Sequence, residues 1–146
     1  MSQPFVCMLS VEGAPGDVAE FVEYFSRQWA EMKDENTILS GFRWVQTRQP
    51  KETYLAANKP QWKFFADGSC PEKYAAIISV AFPKIRVHLS AADSSRNEYL
   101  AVAIAAENGK FQNIDRTNDA SRRYGLSNDE LASVLLDAAA KLEIPQ

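Results

Sequence analysis

At 146 residues, with 46% hydrophobic side chains and a formal net charge of −3, the chain fits a single domain, residues 1–146, whose one core buries roughly 70% of the unfolded surface. It contains no apolar run of about 18 residues and no basic N-terminal segment leading into an apolar stretch and a small-residue cleavage site; a cytoplasmic protein without a membrane partner is expected. The acidic balance weighs against duplex nucleic acid as the main partner, since binding phosphate backbones draws on dense Lys and Arg.

The charge is unevenly spread. Residues 1–35 carry −5, whereas residues 36–66 carry +4. Cys7 and Cys70 make neither a disulfide framework nor a metal ligand set, so both are expected to be reduced thiols, and no metal or other cofactor is expected.

In residues 5–11, Phe5, Cys7, Leu9 and Val11 lie on one face and Val6 and Met8 on the other. This predicts a central strand with both faces covered. Gly13, Ala14, Pro15 and Gly16 turn the chain out of it. Val18, Phe21, Val22, Phe25, Trp29 and Met32 then recur at helical spacing, with Glu20, Glu23, Arg27 and Glu31 on the outer face and Asp17 near the positive end of the dipole. After Gly41, residues 42–47 alternate Phe42 and Trp44 with Arg43 and Val45 and read as a second strand. Residues 48–61, with Pro50 and Pro60 among scattered polar residues, read as a long loop with a short turn near 53–57.

Residues 62–91 predict strand, helix and strand. Trp62, Phe64 and Phe65 form a short aromatic strand that Asp67 and Gly68 break. Ser69 and Glu72 are spaced as a capping box, and Pro71 suits a first helical turn. Tyr74, Ile77, Ile78 and Ala81 are the apolar stripe of the helix that follows, and Phe82 before Pro83 ends it. In residues 85–91, Ile85, Val87, Leu89 and Ala91 alternate with Arg86, His88 and Ser90, which predicts a half-buried strand with one polar face.

Residues 99–106 read as a strand apolar on both sides, with Tyr99, Ala101, Ala103 and Ala105 facing one way and Leu100, Val102, Ile104 and Ala106 the other. A helix is the competing reading of this alanine-rich run. The alanines suit close approach of a helix on one face. Glu107, Asn108, Gly109 and Lys110 carry an Asn-Gly turn signal, and residues 111–114 return as a short strand. Leu126, Ser127, Glu130 and Leu131 form a hydrophobic staple around a capping box. They open a C-terminal helix over about 127–143, with apolar residues Leu131, Val134, Leu135, Ala138 and Leu142.

The order strand, helix, strand, strand, helix, strand is that of an α+β, ferredoxin-like split βαβ (βαββαβ) unit with an antiparallel sheet. An added strand and the C-terminal helix follow, and that helix is expected on the otherwise open sheet face.

With Val11, Glu12 and Gly13 followed by Asp17, Val18, Ala19, Glu20 and Phe21, and with a proline-started helix and Phe82-Pro83 before a strand within residues 64–89, the chain resembles the YubB-like ferredoxin-like domain family of plasmid and phage proteins. The resemblance spans residues 5–106. It implies an accessory protein of a mobile element and brings no catalytic residues with it. Where that family has glycine- and tyrosine-rich strands, this chain has its alanine-rich segment.

Catalytic chemistry finds little to build on. His88 is the single histidine, and its sequence neighbours supply neither a carboxylate to orient it nor a nucleophile for it to activate. On the polar side of its strand it reads as a surface or hydrogen-bonded residue. Cys70 lies at a helix start, where a thiol can be activated, but no basic partner is evident. Asp17, Glu20 and Glu23 share a helix face, but a metal site would need ligands from elsewhere. Gly13 to Gly16 lacks the lysine and the spacing of a phosphate loop.

The sequence therefore predicts a non-enzymatic binding protein. Its expected partner is a bacterial or phage protein, with inhibition of a defence or host protein inferred from the suspected origin. Single-stranded nucleic acid binding through Trp62, Lys63 and Phe64 on an open sheet is the second reading, and a small enzyme the third. Arg43, Trp44, Arg48, Lys51, Tyr54, Lys59, Trp62 and Lys63 are the candidate contact residues, because they combine the Arg, Trp and Tyr types of binding hot spots with a local positive charge. Trp44 and Trp62 read equally as core residues, since an aromatic on an alternating strand usually packs inward.

Overall fold

The computed structural model describes residues 5–30, 43–44, 51–56, 59–67, 71–93, 100–115 and 127–144. In chain order these form β1 (Phe5–Glu12), α1 (Pro15–Ala30), β2 (Arg43–Trp44), β3 (Lys51–Ala56), β4 (Lys59–Asp67), α2 (Pro71–Ala81), β5 (Arg86–Asp93), β6 (Leu100–Glu107), β7 (Lys110–Asp115) and α3 (Asn128–Ala140). The fold is α+β, with the described strands in one antiparallel sheet of order β2-β4-β1-β5-β6-β7 and β3 also paired to β4. β2 lies against residues 66–67 of β4 and β3 against residues 59–63, so the two are successive pieces of one sheet edge.

Strand alternation sends the two faces of this sheet to different helices. Cys7, Leu9 and Val11 of β1, Trp62 of β4, Val87, Leu89 and Ala91 of β5, and Val102, Ile104 and Ala106 of β6 form one buried cluster with Val18, Phe21 and Phe25 of α1 and Ala75 and Ile78 of α2. The intervening residues Val6, Met8, Ala92, Ala101 and Ala103 form a second cluster with Leu131, Ala132, Leu135, Leu136 and Ala139 of α3. The C-terminal helix thus covers the face opposite α1 and α2, where the sequence predicts it. Residues 100–107 are a strand, and Ala101, Ala103 and Ala105 are fully buried. Side chains no larger than a methyl let the α3 axis lie close to the sheet.

Several elements follow their local chemistry. The Ser127 hydroxyl accepts from the Glu130 amide (3.1 Å) while the Glu130 carboxylate accepts from the Ser127 amide (3.2 Å), completing the predicted capping box. Asn108 (φ 51°) and Gly109 (φ 83°) make the two-residue β6–β7 turn between the paired Glu107 and Lys110, a left-handed pair that Asn-Gly tolerates best. The Gly109 amide donates to the Ser79 hydroxyl at 2.9 Å, which fixes this turn to α2. A Cβ at Gly13 would lie 3.1 Å from the Lys84 carbonyl oxygen, so the β1–α1 turn packs tightly on the α2–β5 connection.

Four expectations are corrected. Residues 48–61 are not a long loop, because β3 and the first part of β4 lie within them. Pro60 marks no break: it pairs with Tyr54 beside a register shift between Tyr54 and Ala56, and a bulge at a sheet edge tolerates a residue that cannot donate. The polar face of β5 does not meet solvent, since His88 and Ser90 are buried on the face that α3 covers. In α3, Val134 is 55% exposed while Ala132, Leu136 and Ala139 are buried; the stripe is rotated because the small Ala132 and Ala139 are what fit against the sheet. In α2 the buried positions are Ala75, Ile78 and Ser79, and Ala81 is exposed. The predicted positions Arg27, Trp29 and Tyr74 have no described side chain, and Met32, Ser69, Cys70 and Leu126 lie outside the described residues.

Truncating Leu136 to Ala is expected to cost about 2–5 kcal/mol, and enlarging Ala103 to Leu about 1–3 kcal/mol, whereas Val134→Ala should change stability by no more than about 0.5 kcal/mol. Urea unfolding of the three variants measures this. Equal losses at positions 134 and 136 would contradict the observed rotation of α3.

Candidate partner-binding edge

The predicted contact residues converge on one sheet edge. Arg43 and Trp44 form β2, opposite Asp67 and Ala66 of β4. Lys51 and Tyr54 lie in β3, Lys59 opens β4, and Lys63 pairs with Lys51 across the two strands. Arg48 falls outside the described residues. The pairing of β2 and β3 with a single strand thus gathers cationic and aromatic positions that are up to 20 residues apart in the chain, between Arg43 and Lys63.

Trp62 is removed from this set. Its side chain is 2% exposed, with ring centroids 4.7 Å from Phe25 and 5.8 Å from Phe21. Phe21 extends the cluster to Phe82 at 5.1 Å in an edge-to-face contact. Each such pair contributes about 0.5–1.5 kcal/mol beyond burial of its area. Trp62 anchors α1 to β4, and an inward position on an alternating strand is the physical reason. The same burial withdraws it as a platform for stacking bases.

A second polar constellation lies where α3 ends over the sheet. The Arg86 Nε–H donates to His88 Nε2 at 2.8 Å, a second guanidinium N–H donates to the Leu142 carbonyl just beyond α3, and Glu12 Oε1 is 3.9 Å from Arg86 Nε. With Nε2 accepting, the neutral imidazole carries its proton on Nδ1. Arg86 supplies from β5 the cation that the last turn of α3 lacks, and a positive charge there opposes the helix dipole. Beside it, the Ser90 hydroxyl donates to the Ala132 carbonyl at 2.8 Å. These bonds satisfy polar groups that burial would otherwise penalise. His88 is a structural residue held by Arg86, and sequence reading missed Arg86 and Ser90 as partners of α3. The available signal was the small size of Ser90 and Ala92, which leaves room for a helix.

A cleft of about 200 Å³ lies between α1 and the α2–β5 connection, lined in part by Asp17, Glu20, Phe82 and Lys84, whose charges are of mixed sign. Cys7 is fully buried in β1, and desolvation holds its thiol well above the ordinary value of 9.0. Among the described residues no helix is long and apolar enough to cross a membrane. Comparison with protein-family models, curated proteins and solved structures finds no match.

The Cys7 environment has a consequence for alkaline stability. A thiol that keeps its proton when folded but ionises when unfolded contributes fully below pH 9, and its contribution is lost as pH rises further. The stability difference between the native protein and Cys7→Ala should therefore narrow above pH 9 in chemical denaturation. A difference that stays constant to pH 11 would show that Cys7 is not desolvated.

Proposed function

We propose that this chain is a small binding protein that engages an acidic surface of another protein along the β2–β3–β4 edge. The observation that carries the reading is the register itself, which brings Arg43, Trp44, Lys51, Tyr54, Lys59 and Lys63 together on the edge and its adjacent strand. Arg, Trp and Tyr are the residue types that dominate binding hot spots, and a cationic edge on a chain of net charge −3 steers acidic partners and speeds their association.

The unit from β1 to β5 is read as a ferredoxin-like split βαβ. Supporting this, β1 lies between β4 and β5, while α1 and α2 contribute to the same buried cluster. Two further strands and α3 extend the unit. In this reading the resemblance to YubB-like domains makes the partner a bacterial defence or host protein met by a plasmid or phage; that extension rests on the resemblance alone. The burial of Trp62 between Phe21 and Phe25 favours protein binding over base stacking, because stacking needs exposed rings.

Reversing Arg48, Lys51 and Lys59 to Glu together should reduce capture of the partner from a nuclease-treated bacterial lysate by at least about tenfold, mainly through slower association. Thermal stability should be little changed. Undiminished capture at low salt would remove this edge as the binding surface, and a partner lost on nuclease treatment would replace protein with nucleic acid.

A further inference from the structure

Charged residues that face each other across this sheet are matched in sign with one exception. Glu12 lies opposite Arg86, Arg86 opposite Glu107 and Glu107 opposite Lys110, so the signs alternate across β1, β5, β6 and β7. Arg43 lies opposite Asp67. Lys51, however, lies opposite Lys63, the one like-charged pair among the described pairings. Directly opposed residues of an antiparallel pair have Cβ atoms about 4.5–5.5 Å apart, and like charges there destabilise the sheet.

The surrounding positions offer no relief. On the same face of the pleat, Lys63 is paired inward with Met8, and the neighbouring positions are Gln61, Phe65 and Thr53. None of them is acidic. Glu52 alternates to the other face, opposite Trp62. The column running inward from Lys63 through Met8, Ser90 and Ala103 is neutral where α3 covers it. The unmatched positive charge is therefore confined to the outermost pair, on the edge read above as the binding surface.

We propose that Lys51 and Lys63 form a carboxylate-binding pair, in which an acidic side chain of a partner polypeptide supplies the missing countercharge. This rests on the edge-binding reading and names the chemistry that the edge selects. Two ammonium groups converging on one carboxylate give two charge-assisted hydrogen bonds, and binding also relieves the repulsion between them. A polypeptide is favoured because β3 pairs with β4 alone among the described strands, and a strand edge recognises extended peptide backbone through its own N–H and C=O groups. Stability is given up at this pair for binding, a trade that surface-charge optimisation commonly exposes.

The test combines thermal unfolding with binding of fluorescent poly-L-glutamate and of a charge-matched oligo(dT), at low and at high salt. Lys51→Glu and Lys63→Glu should each raise Tm by about 1–3 °C, as repulsion becomes attraction. Each should weaken poly-L-glutamate binding at low salt by about tenfold or more. The double reversal should return Tm to the starting value, and Lys63→Arg should retain binding. Wild-type protein that does not bind poly-L-glutamate, or single reversals that leave its affinity unchanged, would overturn the proposal; a Tm that falls would remove the repulsion behind it. Tighter binding of oligo(dT), lost in the same variants, would replace the polypeptide with a nucleic acid. If poly-L-glutamate binding survives both single reversals but is lost in Arg43→Glu/Lys59→Glu, the pair is wrong and the edge stands. If it survives in all of these variants, both readings fall.

Discussion

The structure depends on a sheet whose central strands are apolar on both faces. β1 is hydrogen-bonded to β4 on one side and β5 on the other, and Val6, Cys7, Met8, Leu9 and Val11 are all buried. A strand with no polar face cannot be left uncovered, since roughly 25 cal/mol is lost for each Å² of apolar surface returned to water. Helices must lie on both sides. α1 and α2 supply one layer and α3 the other, and the sequence divides the labour by size. Branched and aromatic residues face α1 and α2, whereas Ala92, Ala101, Ala103 and Ala105 face the side covered by α3.

Covering the second face creates a problem that the polar residues solve. β5 brings Arg86, His88 and Ser90 to that side, and polar groups buried without partners cost about 1–3 kcal/mol each. Arg86 links His88, Glu12 and the carbonyl of Leu142, and Ser90 links the sheet to Ala132. The same groups that must be satisfied therefore fix where α3 sits and where it ends. Charge pairing continues outward from Arg86 to Glu107 and Lys110, on exposed positions where each pair contributes little alone.

What the sequence reveals follows how local each cause is. The Ser127–Glu130 capping box, the Asn108–Gly109 hairpin and the stripe of Val18, Phe21 and Phe25 arise within a few residues, and periodicity or punctuation exposes them directly. The exposure of Val134 and the burial of His88 arise from contacts between distant segments. Alternation shows that Arg86, His88 and Ser90 share a face, but not that a helix more than 30 residues away will cover it. β3 escaped because Pro60 reads as a break unless its bulged edge partner Tyr54 is known. Of the candidate site, the cationic composition was legible; the pairing of Lys51 with Lys63 was not, because register across a hairpin depends on the position of that bulge.

The edge where charge is unmatched lies away from the strands covered on both faces. Partner binding and structural integrity thus draw on different parts of one sheet. Native-state hydrogen exchange tests this most directly. The amides of Cys7, Leu9, Val87, Leu89 and Ile104 should exchange only through global unfolding, with the free energy measured in denaturant, while those of β3 and β7 exchange by local opening. If β1 amides exchanged as readily as those of β7, the doubly covered sheet could not be what holds this protein together.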